Sequence, residues 1–189
     1  MPRTLTGVAA TRVGARRARN PGMDLSTLAP SDAIVALRGL ERRYRGLFAG
    51  LGEDDSPEDI ARRPAGNGWS ALEHVVAAAW AISAARRALD AVLTQDNPLL
   101  DVTDVDPGSR PKPGPPSGTL HERLAELGLE AAELADRSDD VAAKDWDRLG
   151  LIDDSSSRRV SALDIVRAAV DAGVTHLRGA ELVLNEVRA

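Results

Sequence analysis

A helical pattern without glycine or proline runs from Ser70 to Thr94. The Ser70 hydroxyl is placed to accept from the amide of Glu73, and the Glu73 carboxylate can reach back to the Ser70 amide, as in a capping box. This arrangement predicts a well-defined start for a helix about 37 Å long. Its core face repeats at three- and four-residue steps: Leu72, Val75, Val76, Ala79, Ile82, Leu89, Val92 and Leu93.

Three further stretches show the same apolar periodicity, and each begins at a residue that can cap a helix. They run from about Ser31 to Leu51, from Thr119 to about Arg137, and from Ser161 to the end of the chain. We find no credible pair of strands between them. The sequence therefore predicts an all-α four-helix bundle packed by Ala, Leu and Val, since the chain holds only three Trp, one Tyr and one Phe.

The connection between the second and third of these helices, residues 95–118, contains six prolines and three glycines. Proline at this density excludes regular helix, so the segment is either a long ordered crossover or a flexible loop. Extended at about 3.3 Å per residue, it can reach back along the whole second helix. The third helix can therefore run parallel to the second. For the other connector, residues 53–68, the acidic, Pro-containing sequence predicts at most one helical turn, at Pro57 to Arg62.

Residues 1–22 hold five arginines and no acidic residue, without a helical apolar pattern. We predict a disordered Arg-rich tail over residues 1–23 and a bundle domain over residues 24–189. A nucleic-acid-binding arm is the less favoured interpretation of this tail, and a solvated tail is the favoured one. The net charge of −5 argues against a dedicated nucleic-acid surface.

No stretch approaches the roughly 18 consecutive apolar residues of a membrane-spanning helix. We therefore expect a cytoplasmic protein with neither nucleic acid nor membrane as partner.

Chemically active groups are few. The chain has no cysteine, which excludes disulfides and thiolate metal sites, and we find no phosphate-binding loop or nucleophile elbow. Of the three histidines, His121 lies among charged neighbours and is expected to be exposed. His74 and His176 lie on small-residue faces of their helices. A single such histidine is more often a hydrogen-bonded core residue than a metal ligand. Two histidines that face each other favour a metal site more strongly, because helix bundles build such sites from side chains on facing helices.

A catalytic zinc site normally uses three protein ligands, so two histidines are one short. Glu73 or Asp171 would be the third. Glu73, however, has a role in the capping box, and Asp171 can pair on the surface with Arg167, four residues earlier. The metal-site candidates are therefore His74, His176 and Asp171, with zinc or nickel as the ion. Catalytic and cofactor-binding residues stay unassigned.

Two segments resemble a known family. The sequence GWSALEHVV at Gly68–Val76 is similar to the opening of helix 2 in the DinB-like superfamily, which includes mycothiol-dependent maleylpyruvate isomerases and other thiol transferases. The sequence AVDAGVTHLR at Ala169–Arg178 resembles its last helix. The order of elements agrees over about residues 31–188. The resemblance implies a four-helix bundle of the DinB-like type.

In that family a divalent metal is held by a histidine eight residues after the motif tryptophan and by a pair, often His-x-x-x-His, on the last helix. The first of these places falls on Ala77. The pair falls on Ala172 and His176, or, in a register shifted by one residue, on Asp171 and Thr175. At least two of the three usual ligands are then absent in the better register. The resemblance therefore implies the fold together with a degenerate metal site.

Two functional hypotheses follow, and whether the chain is an enzyme is left open between them. The first is a bundle without the standard metal that acts as a small-ligand-binding or interaction module and forms a homodimer through a helix face. The second is a metal-dependent thiol transferase or isomerase of the mycothiol type with a relocated site of His74, His176 and a nearby carboxylate. Ring nitrogens more than about 6 Å apart cannot share one ion, so the distance between the His74 and His176 rings discriminates between the two hypotheses.

Overall fold

The structure is a computed structural model that describes residues 27–51, 56–66, 68–106, 112–153 and 158–189. The predicted Arg-rich tail at 1–23 lies outside the described residues. The described helices and strands are α1 Pro30–Ala49, α2 Pro57–Arg62, α3 Ala71–Thr94, β1 Leu99–Leu100, α4 Val102–Val105, α5 Leu120–Asp139, β2 Leu149–Ile152, β3 Arg159–Ser161 and α6 Ala162–Val187.

Capping boxes begin three of the four long helices, as predicted. Ser70, Thr119 and Ser161 each accept from the third amide of the helix, whose acidic side chain reaches back. Helix α1 begins at Pro30, within one residue of the predicted start, but the capping role predicted for Ser31 is wrong, because Ala29 is at the N-cap and there is no side-chain cap. Proline suits this first position because its ring fixes a helical φ and the missing N–H would be unpaired there anyway.

Ion pairs show that α3 and α5 run in the same direction. Arg86 contacts Glu130 at 3.5 Å, and one turn later Asp90 contacts Arg137 at 2.5 Å. The two contacts advance in the same sense along both helices. The predicted long crossover is therefore confirmed, and the parallel arrangement that its length left open is the one found. The expectation that residues 95–118 hold no regular helix is wrong, because α4 forms one turn at Val102–Val105.

Helix α6 returns antiparallel to α3. Arg148 donates to the carbonyl of Val92, at the end of α3, and its own carbonyl accepts from Ala162, the first residue of α6. At the other end of the pair His74 meets His176. Helices α1, α3, α5 and α6 thus form the four-helix bundle, and the first residues of α3 lie beside the second half of α6.

The small residues of α3 allow its neighbours to approach closely. Its Ala-rich face is buried throughout, from Ala77 and Ala78 to Ala81 and Ala85. Because an alanine side chain ends at Cβ, a neighbouring backbone can pack near this face. Among the described residues, no helix combines the length and apolar character needed to span a bilayer.

Three short strands form a small sheet, so the statement that the chain holds no credible strand pair is wrong. Strand β1 pairs parallel with β2, with Leu99 opposite Leu151, and β2 pairs antiparallel with β3, with Leu149 opposite Ser161. The strands span 2, 4 and 3 residues, too few to show an alternating pattern. They pair because the crossover and the α5–α6 connection meet at the same end of the bundle.

Candidate functional site

His74 of α3 and His176 of α6 face each other between the two helices. Their Nδ1 atoms are 3.1 Å apart, and their ring planes are tilted by 50°. A neutral imidazole has one N–H donor and one lone pair, so one ring donates to the other through the two Nδ1 atoms. The distance lies well within the limit at which two nitrogens can share an ion.

The second nitrogen of His74, Nε2, is buried and has no hydrogen-bond partner among the residues that the structure describes. His74 is 9% exposed, whereas His176 is half-buried. A buried N–H without an acceptor is rarer in proteins than a buried acceptor without a donor. This favours the tautomer in which Nδ1–H of His74 donates to Nδ1 of His176, while Nε2 of His74 carries only its lone pair.

Burial keeps both imidazoles neutral at pH 7. The pKa of His74 is lowered from 6.5 to about 4, chiefly because desolvation disfavours the charged ring and secondarily because His176 is close. Burial also lowers the pKa of His176. The neutral form is the one that can both donate and accept a hydrogen bond.

Trp69 and Lys112 extend this cluster toward the surface. The Trp69 ring stacks on His74 with centroids 4.8 Å apart and planes inclined by 22°, and its centroid is 6.0 Å from that of His176. The Nζ of Lys112 lies 3.1 Å from Oε1 of Glu73. We did not predict a role for Lys112, because only the tertiary fold brings it beside Glu73. Its one signal in the sequence is its rarity, since Lys112 and Lys144 are the only lysines.

The other family ligand places are occupied by alanines. Ala77 and Ala172 are buried, while Asp171 and Thr175 are exposed. His176 contacts α3 through His74, and Ala172, one turn earlier on α6, is buried.

The remaining candidates do not join the histidine pair. Asp171 is exposed on α6, and Arg167, its expected partner, instead contacts Asp164 at 3.4 Å. The carboxylate of Glu73 accepts from the Ser70 amide at 2.7 Å and pairs with a lysine. His121 is exposed in the first turn of α5, as expected.

A metal held by three protein side chains does not fit this arrangement. Within the part of the chain that the structure describes, no group of three or more His, Cys, Asp or Glu side chains could hold an ion. His74 and His176 supply two nitrogens, one fewer than a catalytic zinc normally takes from protein. The family's three-ligand site is therefore not reproduced by these residues.

The fold is a four-helix bundle, and the same fold is found in a solved structure. A solved structure that is similar is YfiT from Bacillus subtilis, with a TM-score of 0.67 and 12% identity over 87% of this chain and 90% of that chain. It is described as a probable metal-dependent hydrolase with an unusual four-helix bundle topology. No family model matches the chain, and no curated protein matches it. At 12% identity, the likeness shows the fold alone.

Proposed function

We propose that this DinB-like bundle binds a small organic molecule at the end where Trp69, His176 and Lys112 lie, without the metal of the family's three-ligand site. The contact of 3.1 Å between Nδ1 of His74 and Nδ1 of His176 carries this proposal. In this contact the N–H of one Nδ1 atom points at the lone pair of the other, so neither Nδ1 atom is free to bind an ion.

The same end of the bundle offers groups that recognise organic ligands. Trp69 and His176 are half-buried, and the side chain of Lys112 is 41% exposed. An aromatic face, an imidazole and an ammonium group therefore lie together within reach of solvent. Ligand sites in proteins combine apolar and aromatic surface with a few placed polar groups in this way.

A metal titration tests the proposal. Tag-free protein is titrated with zinc, nickel and manganese, and wild type is compared with the His74→Ala, His176→Ala double variant and with the His121→Ala control. We expect no stoichiometric binding that depends on the pair. Stoichiometric binding that persists in His121→Ala and disappears in the double variant would overturn the proposal.

A relocated metal site is the second candidate, because the spacing of the two rings is also compatible with one shared ion. Two nitrogens bound to one zinc at about 2.0–2.1 Å lie about 3.3 Å apart in tetrahedral geometry, close to the 3.1 Å between the Nδ1 atoms of His74 and His176. The reaction class would then be thiol transfer or isomerisation of the mycothiol type. Assays of these reactions are warranted if the titration finds pair-dependent metal.

A further inference from the structure

The ammonium group of Lys112 lies against three groups at the start of α3. Its Nζ is 3.1 Å from Oε1 of Glu73, donates to the carbonyl of Gly68, and lies 5.7 Å from the centroid of the Trp69 ring. An ammonium group has three N–H donors and a full charge. A carboxylate, a carbonyl and an aromatic face are each favourable partners for it. We call these three groups the ammonium cradle.

The groups of the cradle also have contacts other than those to Lys112. The Glu73 side chain is 9% exposed, and its Oε2 accepts from the Ser70 amide at 2.7 Å in the capping box. Trp69 is fixed by its stack on His74 at 4.8 Å. Gly68 has φ of 79°, which turns the chain immediately before α3. If the lysine left, a buried carboxylate would remain without a cation, which is costly unless another cation replaces it.

The occupant comes from another part of the chain. Lys112 belongs to the crossover between α3 and α5, and its side chain is 41% exposed. Among 24 basic residues only Lys112 and Lys144 are lysines. A compact ammonium with three donors matches the cradle, whereas the planar fork of an arginine is suited to bidentate partners.

We propose that the cradle binds the primary ammonium group of a small-molecule ligand, and that Lys112 occupies it when no ligand is present. This inference rests on the proposed function, for which it names the ligand class. Binding is a non-covalent exchange of one ammonium group for another. A tethered group competes at an effective concentration of the order of millimolar. Removal of the lysine side chain should therefore strengthen the binding of a free amine.

The test uses n-butylammonium chloride and the full chain in EDTA, with sodium chloride at matched ionic strength and n-butanol as the uncharged probe. The Trp69 indole N–H resonance and calorimetry report binding. If Lys112 fills the cradle about nine-tenths of the time, Lys112→Met should bind n-butylammonium about tenfold more tightly than wild type, and Lys144→Met should match wild type. Adding Glu73→Gln to Lys112→Met should abolish binding, although glutamine preserves the capping box.

Equal affinities in wild type and Lys112→Met, or binding that survives Glu73→Gln, would overturn the proposal. A second test uses only the wild-type protein, so it does not depend on whether a variant folds. Both lysines are exposed, but the Lys112 ammonium group is paired with Glu73. Acetylation by acetic anhydride, mapped by peptide mass spectrometry, should therefore modify Lys112 more slowly than Lys144. Equal rates would place the ammonium group outside the cradle and also overturn the proposal.

The two proposals fail in different ways. Metal binding that depends on His74 and His176 would overturn the proposed metal-free function, whatever the outcome with n-butylammonium. In EDTA the amine titration reports on Glu73 and Lys112 without a contribution from metal. If the chain binds neither metal nor amine, only the proposal of an ammonium ligand is rejected, and the proposed metal-free function stands.

Discussion

Gly179 of α6 packs directly against the imidazole of His74. A Cβ added at residue 179 would lie 2.8 Å from Nδ1 and 2.8 Å from Nε2 of His74. The missing side chain is what allows the ring to enter between the two helices and to reach His176. Gly179 is thus part of the site although it contributes no chemical group.

Gly179→Ala is expected to displace the His74 ring and to lower the free energy of unfolding by about 1–3 kcal/mol, because the added methyl group overpacks the helix contact. The control is Gly39→Ala in α1, where nothing lies within 4 Å of an added Cβ. That change should raise the free energy of unfolding by about 0.5–1 kcal/mol, the usual effect of alanine in a helix. Urea unfolding measures the free energy of unfolding of both variants. A similar increase in the two would contradict the close packing of Gly179 against His74.

The facing histidines His74 and His176 should make the fold less stable as pH falls from 7 to 5. The pKa of His74 is about 4 in the folded chain against 6.5 for a free ring, and the pKa of His176 is also lowered. Between these values the unfolded chain binds more protons than the folded chain, so acid favours unfolding. The contribution is fully present above the unfolded pKa and is lost as pH falls toward the folded pKa.

Urea unfolding at pH 7, 6 and 5 isolates this effect when wild type is compared with a His74→Gln, His176→Gln double variant. Carboxylates titrate in both proteins, so the difference between them reports the histidines. We expect wild type to lose about 1–3 kcal/mol more than the double variant over this range. His121→Gln is the control, because His121 is exposed on α5. One common pH slope for all three proteins would contradict the prediction.

Signals within a few residues made most of the helical fold predictable. The Ser70–Glu73 box begins α3 where expected, and the single turn predicted at Pro57–Arg62 is α2. The proline content of residues 95–118 also indicated the crossover. In these cases the cause is local, since a cap, a fixed φ or a missing N–H acts on its own neighbourhood.

The contacts that complete the site arise over long separations and left no local pattern. His74 and His176 were singled out because each lies on a small-residue face, but their mutual hydrogen bond spans 102 positions. Lys112 reaches the Gly68 carbonyl across 44 positions. The small sheet was missed for the same reason, because strands as short as Leu99–Leu100 acquire their partners only after the bundle has brought them together.

Arg148 is another such long-range contact, and it closes the end of α3. Its Nε donates to the carbonyl of Val92 at 2.8 Å and its Nη2 donates to that of Gln95 at 2.9 Å. The last carbonyls of a helix have no partner within the helix, so these bonds satisfy groups that would otherwise need water. Arg148 therefore links the connection before α6 to the end of α3.

Arg148→Met should lower the free energy of unfolding by about 1–2 kcal/mol, because it removes both donors while keeping an apolar stem of similar length. The matched control is Arg159→Met in β3, where the arginine is exposed and the change should stay within about 0.5 kcal/mol. Urea unfolding gives the global effect, and amide hydrogen exchange should show faster opening of the last turn of α3 in Arg148→Met alone. Unchanged exchange in that turn would mean that water replaces the guanidinium without loss and that Arg148 does not hold the end of the helix.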